Sequence, residues 1–179
     1  AINASIAISI AKKLNINDNK IELAIKRFKG LSHRMEQLYI SKDLEIINDS
    51  KSTNGESTAA ALKSFNSIFW IVGGRPKNDG IGEAKNFLDK VVEIFIIGDS
   101  TNYFSEEILK FNKNIPLNEC VTLEKATKLA LKKSKTSKLK KCVILLSPSA
   151  ASFDQFKNFE DRGNQFKKII KSQLIRGAI

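Results

Sequence analysis

The sequence has few of the residues that build metal centres and disulfide scaffolds. It contains 2 cysteines, 1 histidine and 3 prolines, and no apolar run is long enough to span a bilayer. Cys120 and Cys142 match no metal-ligand spacing, so we interpret both as buried thiols of a protein from a reducing cytoplasm. A structural zinc site and a membrane partner are therefore not expected.

A further absence concerns nucleotide chemistry. No Gly-x-x-x-x-Gly-Lys-Ser/Thr sequence occurs among the 179 residues, so the phosphate loop of a complete ATPase is missing. The first apolar residues lack the basic start and cleavage site of a signal peptide. The sequence also begins without Met, within a predicted helix, and we expect it to be a piece of a longer chain.

Positive charge dominates the polar residues. Lys and Arg number 30 against 19 Asp and Glu, which gives a formal net charge of +11. This balance suggests a nucleic-acid-binding module as one hypothesis. However, the lysines are spread over the polar faces of predicted helices, and no aromatic RNA-binding signature accompanies them. We therefore favour a solvated basic surface and keep nucleic-acid binding as an alternative.

Strand and helix signals alternate along most of the sequence. The apolar runs 69–72, 94–97 and 143–146 indicate strands that are buried on both faces. Helices are predicted between the strands, including residues 82–90 and 105–111. This order predicts an α/β fold with a doubly wound, mostly parallel, Rossmann-like sheet.

Two amphipathic helical segments precede the alternating region. Apolar residues recur at helical spacing in the first segment, and Asn17 or Asp18 can cap the second. Because the character of the sequence changes after these helices, we predict a domain boundary there. Residues 1–31 would be the last helices of one domain, and residues 32–179 would form the next domain.

Four segments at predicted turns or strand ends carry side chains suited to ligand binding. Residues 48–54 offer a carboxylate, a cation and hydroxyls, although an ordinary helix-capping loop has the same composition. Gly73-Gly74 permits close approach to the main chain, and a plain turn explains the pair equally well. His33-Arg34 is weak evidence alone. Residues 147–166 form a small-residue turn that opens into a helix, whose first amides suit a carboxylate or phosphate.

Together these segments resemble the Mur ligases, and within that family the branch that adds D-glutamate. Residues 145–166 resemble the carboxyl-terminal signature of that branch, with Ser149-Ala150 where Ala-Cys is more frequent. Residues 48–54 resemble its Asn-Asp-Ser-Lys-x-Thr-Asn motif. Residues 31–34 resemble its Leu-Pro-His-Arg hinge, with serine for proline, and residues 73–77 resemble its Gly-Gly-x-x-Lys element.

The resemblance implies roles for individual residues and none of them is catalytic or a metal ligand. It assigns to ATP binding Asn3, His33, Arg34, Asp49 and Lys51. It assigns to D-glutamate binding Thr53, Lys77, Ser152, Phe153 and Phe159.

The resemblance also implies a reaction. In the parent ligase, ATP would phosphorylate the carboxylate of UDP-N-acetylmuramoyl-L-alanine, and the amine of D-glutamate would attack the acyl phosphate to form an amide of peptidoglycan. ATP and Mg²⁺ would be required, with the phosphate loop and metal ligands in a central domain. The uridine nucleotide would bind mainly to an amino-terminal domain. The 179-residue chain alone is therefore expected to be inactive.

Four alternatives remain beside this interpretation. Other Mur ligases carry an Asp-Asn-Pro-Arg element that this sequence lacks. Folylpolyglutamate synthetases share the architecture but not the carboxyl-terminal signature. A basic nucleic-acid module and a non-catalytic interaction domain belong to different functional classes.

Overall fold

The computed structural model describes residues 2–77, 80–177 and 179, which form two compact units. We name Ala1–Gly30 the helical unit and Leu31–Ile179 the sheet unit. Across the described ranges, no helix combines the length and apolar character needed to cross a bilayer.

The helical unit consists of α1 (Ile2–Lys13) and α2 (Asp18–Arg27). Asn17 caps α2, since its side-chain oxygen accepts the N–H of Asn19 at 2.9 Å. Asn17, rather than Asp18, is thus the cap among the two predicted candidates. Leu14 and Phe28 stay largely exposed within this unit, at 68% and 66%.

Among its described residues, the sheet unit contains six strands, four α-helices and one 3-10 segment. In chain order they are β1 (Glu36–Ile40), β2 (Leu44–Asn48), α3 (Gly55–Lys63), β3 (Ile68–Gly73), the 3-10 segment (Gly82–Lys90), β4 (Val91–Ile97), α4 (Thr101–Phe111), β5 (Leu117–Val121), α5 (Leu123–Thr136), β6 (Cys142–Leu146) and α6 (Phe159–Ile175). The strand order is β1-β2-β6-β3-β4-β5. Only the β1–β2 pair among these strands is antiparallel, so the predicted α/β class and mostly parallel sheet are confirmed.

Both faces of the sheet are covered by helices, which explains the continuous apolar strands. Along β3, Trp70 belongs to a core layer that includes Phe104 of α4. The next residue, Ile71, belongs to the opposite layer, which includes Phe166 of α6. Successive side chains of a strand point to opposite faces, so a strand between two layers must be apolar at every position.

Two helix predictions gain detail from the structure. Residues 82–90 are helical as predicted, in the form of a 3-10 segment with a kink at Phe87, which leaves the helical region with φ −126° and ψ 17°. The helix predicted from Ser105 begins at Thr101. Its apolar stripe starts with Phe104 and continues to Ile108, both fully buried, so packing extends the helix towards its amino end.

The loops that carry the sequence motifs meet at one edge of the sheet. Strands β2, β6 and β3 are parallel neighbours, so their carboxyl ends lie side by side. The N–H of Gly73 donates to the carbonyl of Pro148 at 2.9 Å, and Arg75 pairs with Ala151 in an antiparallel bridge. The N–H of Asp49 donates to the carbonyl of Leu146 at 2.8 Å. Main-chain hydrogen bonds therefore join three loops that are far apart in sequence.

Candidate functional site

Asp49 is the buried carboxylate at the centre of this edge. Its Oδ1 accepts the N–H of Met35 at 3.1 Å, and its Oδ2 accepts the hydroxyl of Ser147 at 3.0 Å. Burial raises the pKa of Asp49 to about 6, against the opposing effect of these hydrogen bonds and of the positive charge of Arg34. The side chain thus ties the segment before β1 and the loop after β6 to the end of β2.

His33 is buried against Asn48, and its protonation state follows from its partners. The amide nitrogen of Asn48 lies 3.0 Å from His33 Nδ1, and the N–H of Ser50 donates to the amide oxygen of Asn48, which fixes the amide orientation. Nδ1 must then accept, so the imidazole is neutral with its proton on Nε2. Burial, followed by the charge of Lys167, lowers the pKa of His33, which agrees with the neutral form.

The imidazole also packs tightly against the start of α6. A Cβ added to Gly163 would overlap the His33 ring, and the ring of Phe159 meets it edge-on with centroids 6.3 Å apart. Glycine is therefore required at position 163 by a close approach. The ammonium of Lys51 lies 3.9 Å from the centre of the same Phe159 ring.

A pocket of about 490 Å³ opens between the end of β2 and α3, and we call it the β2–α3 pocket. Four of the predicted site residues line it: Arg34, Asp49, Lys51 and Thr53. Asn54 caps α3 by accepting the N–H of Ser57 at 2.9 Å. The pocket thus combines two cations with the amino end of a helix, a combination suited to anionic groups such as phosphates.

The other predicted residues lie outside the lining of this pocket. Ser152 is buried and Phe153 is exposed in the loop after β6, while Lys77 is exposed in the loop after β3. Those two loops are joined by the bridge between Arg75 and Ala151. Phe159 and His33 do not line the pocket, but both contact Lys51, which does. Asn3 belongs to α1 of the helical unit, where it lines the groove between α1 and α2.

Arg162 is a structural member of the site that we did not predict. Its guanidinium is fully buried, and it donates to the carbonyl of Ser50 at 2.9 Å and to that of Ala150 at 3.1 Å. Its Nε also donates to the Ser50 hydroxyl, which in turn donates to the carbonyl of Phe159. Burial lowers the pKa of Arg162 to about 10, so it remains a cation at neutral pH. One sequence signal could have revealed Arg162. It is a polar residue among the buried positions of an amphipathic helix.

Comparison with known proteins identifies the relatives of this chain. UDP-N-acetylmuramoylalanine–D-glutamate ligase of Rhodopseudomonas palustris (strain HaA2) is 38% identical over 170 residues, which cover 95% of this chain and 36% of that protein. The ligase of the same name from Bartonella henselae is 39% identical over 166 residues, 93% of this chain and 35% of the relative. The chain belongs to the Mur ligase family.

The Mur ligase family is also represented among similar solved structures. MurF from Acinetobacter baumannii aligns with a TM-score of 0.63 at 18% identity, over 93% of this chain and 37% of that one. MurC from Thermotoga maritima aligns with a TM-score of 0.62 at 14% identity, over 96% of this chain and 37% of that one. At these identities the likeness concerns the fold. No protein-family model matches the chain.

This Mur ligase chain spans little more than a third of the length of the relatives it matches. The alignment nevertheless covers almost all of the chain itself. It therefore includes the loops that carry the β2–α3 pocket, Arg162 and the glycine pair.

Proposed function

We propose that this chain is the carboxyl-terminal part of an ATP-dependent ligase that adds D-glutamate to UDP-N-acetylmuramoyl-L-alanine in the cytoplasm. The observation that carries the proposal is the 38% identity, over 95% of the chain, to a ligase named for D-glutamate. The convergence of the motif loops at one sheet edge supports it. In this proposal, residues 1–31 end the central domain, and residues 32–179 form the amino-acid-binding domain.

The β2–α3 pocket is the proposed contact with ATP. Arg34 and Lys51 line it and would offset the negative charge of the phosphates. Asp49 is largely buried and engaged by Met35 and Ser147, so it shapes the pocket by holding its walls together. His33 holds the main chain of Lys51 in place, since the His33 carbonyl accepts the Lys51 N–H at 3.0 Å. By resemblance to the family, Asn3 would contact the adenine.

D-Glutamate would bind beside ATP, through cations, hydroxyls and main-chain amides. Thr53 and Lys77 are assigned to one of its carboxylates. The other carboxylate is assigned to Ser152, Phe153 and the main chain of Phe159. Phe159 begins α6, and the first N–H groups of a helix have no intrahelical partner, so they suit an anion.

The chain would contribute position and electrostatics to the reaction, because it lacks the phosphate loop. Its cations lower the repulsion between the phosphates and the two carboxylates of D-glutamate. Closing this domain over the acyl phosphate would bring the amine into reach and exclude water. Among the described residues, no three His, Cys, Asp or Glu side chains form a possible metal group. By resemblance to the family, Mg²⁺ is assigned to residues of the central domain, and we expect no turnover by this chain alone.

The test is phosphate release by the full-length ligase with ATP, Mg²⁺ and UDP-N-acetylmuramoyl-L-alanine. Turnover is expected with D-glutamate and not with L-glutamate or lysine. Lys77→Ala and Ser152→Ala should raise the KM for D-glutamate, whereas Lys113→Ala, which removes an exposed lysine before β5, should not. Turnover with lysine in place of D-glutamate, or equal effects of the two lysine variants, would contradict the proposal.

A further inference from the structure

Arg34 lies between two residues with strained backbones. His33 has φ 65° and Met35 has φ 48°, although neither is glycine. Such left-handed conformations are unfavourable for residues other than glycine and persist only where the surroundings impose them. The backbone is therefore strained on both sides of Arg34, in the short segment that carries this residue to the β2–α3 pocket.

Each strained residue is held by a carboxylate. The N–H of His33 donates to Glu36 Oε2 at 2.9 Å, and the N–H of Met35 donates to Asp49 Oδ1 at 3.1 Å. Asp49 is fixed by its burial. Glu36 is half-buried on β1, so its orientation depends on further partners.

Those partners come from α6 and β2. Lys167 of α6 places its ammonium 2.6 Å from Glu36 Oε1, and the amide nitrogen of Asn48 lies 3.1 Å from Oε2. Both carboxylate oxygens are thus occupied. Lys167 and Glu36 are 30% and 24% exposed at their side chains, so water screens this pair less than a surface pair.

We propose that Glu36, oriented by Lys167, is a positioning residue that holds Arg34 at the phosphates of the bound nucleotide. The inference rests on the proposed function, because it takes Arg34 as a phosphate contact. Glu36 acts through the His33 main chain. Lys167 acts through Glu36, and it belongs to the helix that begins with Phe159.

The first test needs no catalysis. The 179-residue chain has one histidine, so its imidazole nitrogen signals are assigned without ambiguity. Lys167→Met and Glu36→Gln should both speed hydrogen exchange of the His33 and Met35 amides by about tenfold, as expected for a weakened charge-assisted hydrogen bond. Glu45→Gln is the matched control, because it breaks a similar pair with Lys141, 3.1 Å long, at the other end of β2.

Titration of His33 separates positioning from simple electrostatics. Lys167 lowers the pKa of His33 and Glu36 raises it, so Lys167→Met should raise this pKa and Glu36→Gln should lower it. If the two variants loosen the Arg34 segment to the same extent despite opposite pKa changes, their common effect is mechanical. Unchanged amide exchange in both would overturn the proposal.

The second test uses the full-length ligase. Lys167→Met and Glu36→Gln should raise the KM for ATP by about tenfold with a smaller change in kcat. Lys167→Arg, in place of Lys167→Met, should restore the original KM for ATP. The KM for D-glutamate should stay within about twofold of the original value, and Glu45→Gln should change neither constant. An active ligase whose KM for ATP is insensitive to both variants would refute the positioning role. An unmodified ligase with no turnover would refute the proposed function instead, and the exchange experiment would still decide the role of Glu36.

Discussion

The ammonium group of Lys51 lies 3.9 Å above the centre of the Phe159 ring. This contact joins the loop after β2, which lines the β2–α3 pocket, to the first residue of α6. Cations over aromatic faces attract the ring, and partial burial strengthens the attraction. The two proposed substrate regions therefore meet through one pair of side chains.

Replacing the Phe159 ring should weaken binding in both proposed substrate regions. Phe159→Leu keeps an apolar side chain but removes the ring face, and we expect kcat/KM of the full-length ligase for D-glutamate to fall by about tenfold. Steady-state kinetics would measure this. Phe111→Leu is the matched control, because Phe111 carries the other observed cation–ring pair, with Lys85 at 5.3 Å. A loss of the same size in both variants would mean that the ring contact has no special importance at the site.

Arg162 should matter for stability more than any exposed arginine. Arg162→Met fills similar space but leaves the carbonyls of Ser50 and Ala150 without their donors. We expect the free energy of unfolding to fall by roughly 3 kcal/mol, since each buried unsatisfied acceptor costs about 1–3 kcal/mol. Urea denaturation would measure the change, with the exposed Arg176→Met as control. A loss below about 0.5 kcal/mol would show that the two loops are held by other contacts.

The sheet could be predicted because the apolar sequences of its strands indicate that they are buried. Residues 94–97 are apolar at every position, as a strand between two helical layers must be, and β4 includes them all. The start of α4 was placed too late because its first turn carries little apolar signal before Phe104. The local sequence pattern thus predicts which helices and strands form, whereas long-range packing determines where they begin and end.

The motif loops were also predictable, but their connections were not. Asp49 and Lys51 stood out as charged residues in a loop after a strand. Arg162 and Glu36 did not, because their roles arise from partners more than a hundred residues away in sequence, as with Ser50 and Lys167. No local spacing encodes such pairs.

Asp49 should make stability depend on pH in the acidic range. Its folded pKa, about 6, lies above its ordinary value of 3.8 because burial disfavours the charge. The folded state then binds the proton more tightly than the unfolded state. The stabilising contribution of protonated Asp49 is complete below about pH 4 and is lost as the pH rises through 6. Each pKa unit corresponds to about 1.4 kcal/mol, so the total is of the order of 3 kcal/mol.

Asp49→Asn isolates that contribution. The difference in unfolding free energy between Asp49→Asn and the original chain should grow in favour of asparagine between pH 4 and 6.5 and then level off. Urea denaturation at several pH values would measure it. Asp43→Asn changes the same charge at an exposed turn and should show no such rise. A difference that is flat across this range would mean that the charged form of Asp49 is well solvated in the fold.

Two neighbouring serines should respond to alanine with opposite signs. Ser149 is fully buried, and its hydroxyl has no hydrogen-bond partner among the residues that the structure describes, whereas the Ser147 hydroxyl donates to Asp49 Oδ2 at 3.0 Å. Ser149→Ala should raise the unfolding free energy by about 1 kcal/mol, because it removes a buried, unpaired polar group. Ser147→Ala should lower it by about 1–3 kcal/mol, because Asp49 loses a donor inside the fold. Thermal and urea unfolding of both variants would measure the pair. If Ser149→Ala is also destabilising, its hydroxyl is paired in solution, and a bound water is the partner to look for by crystallography.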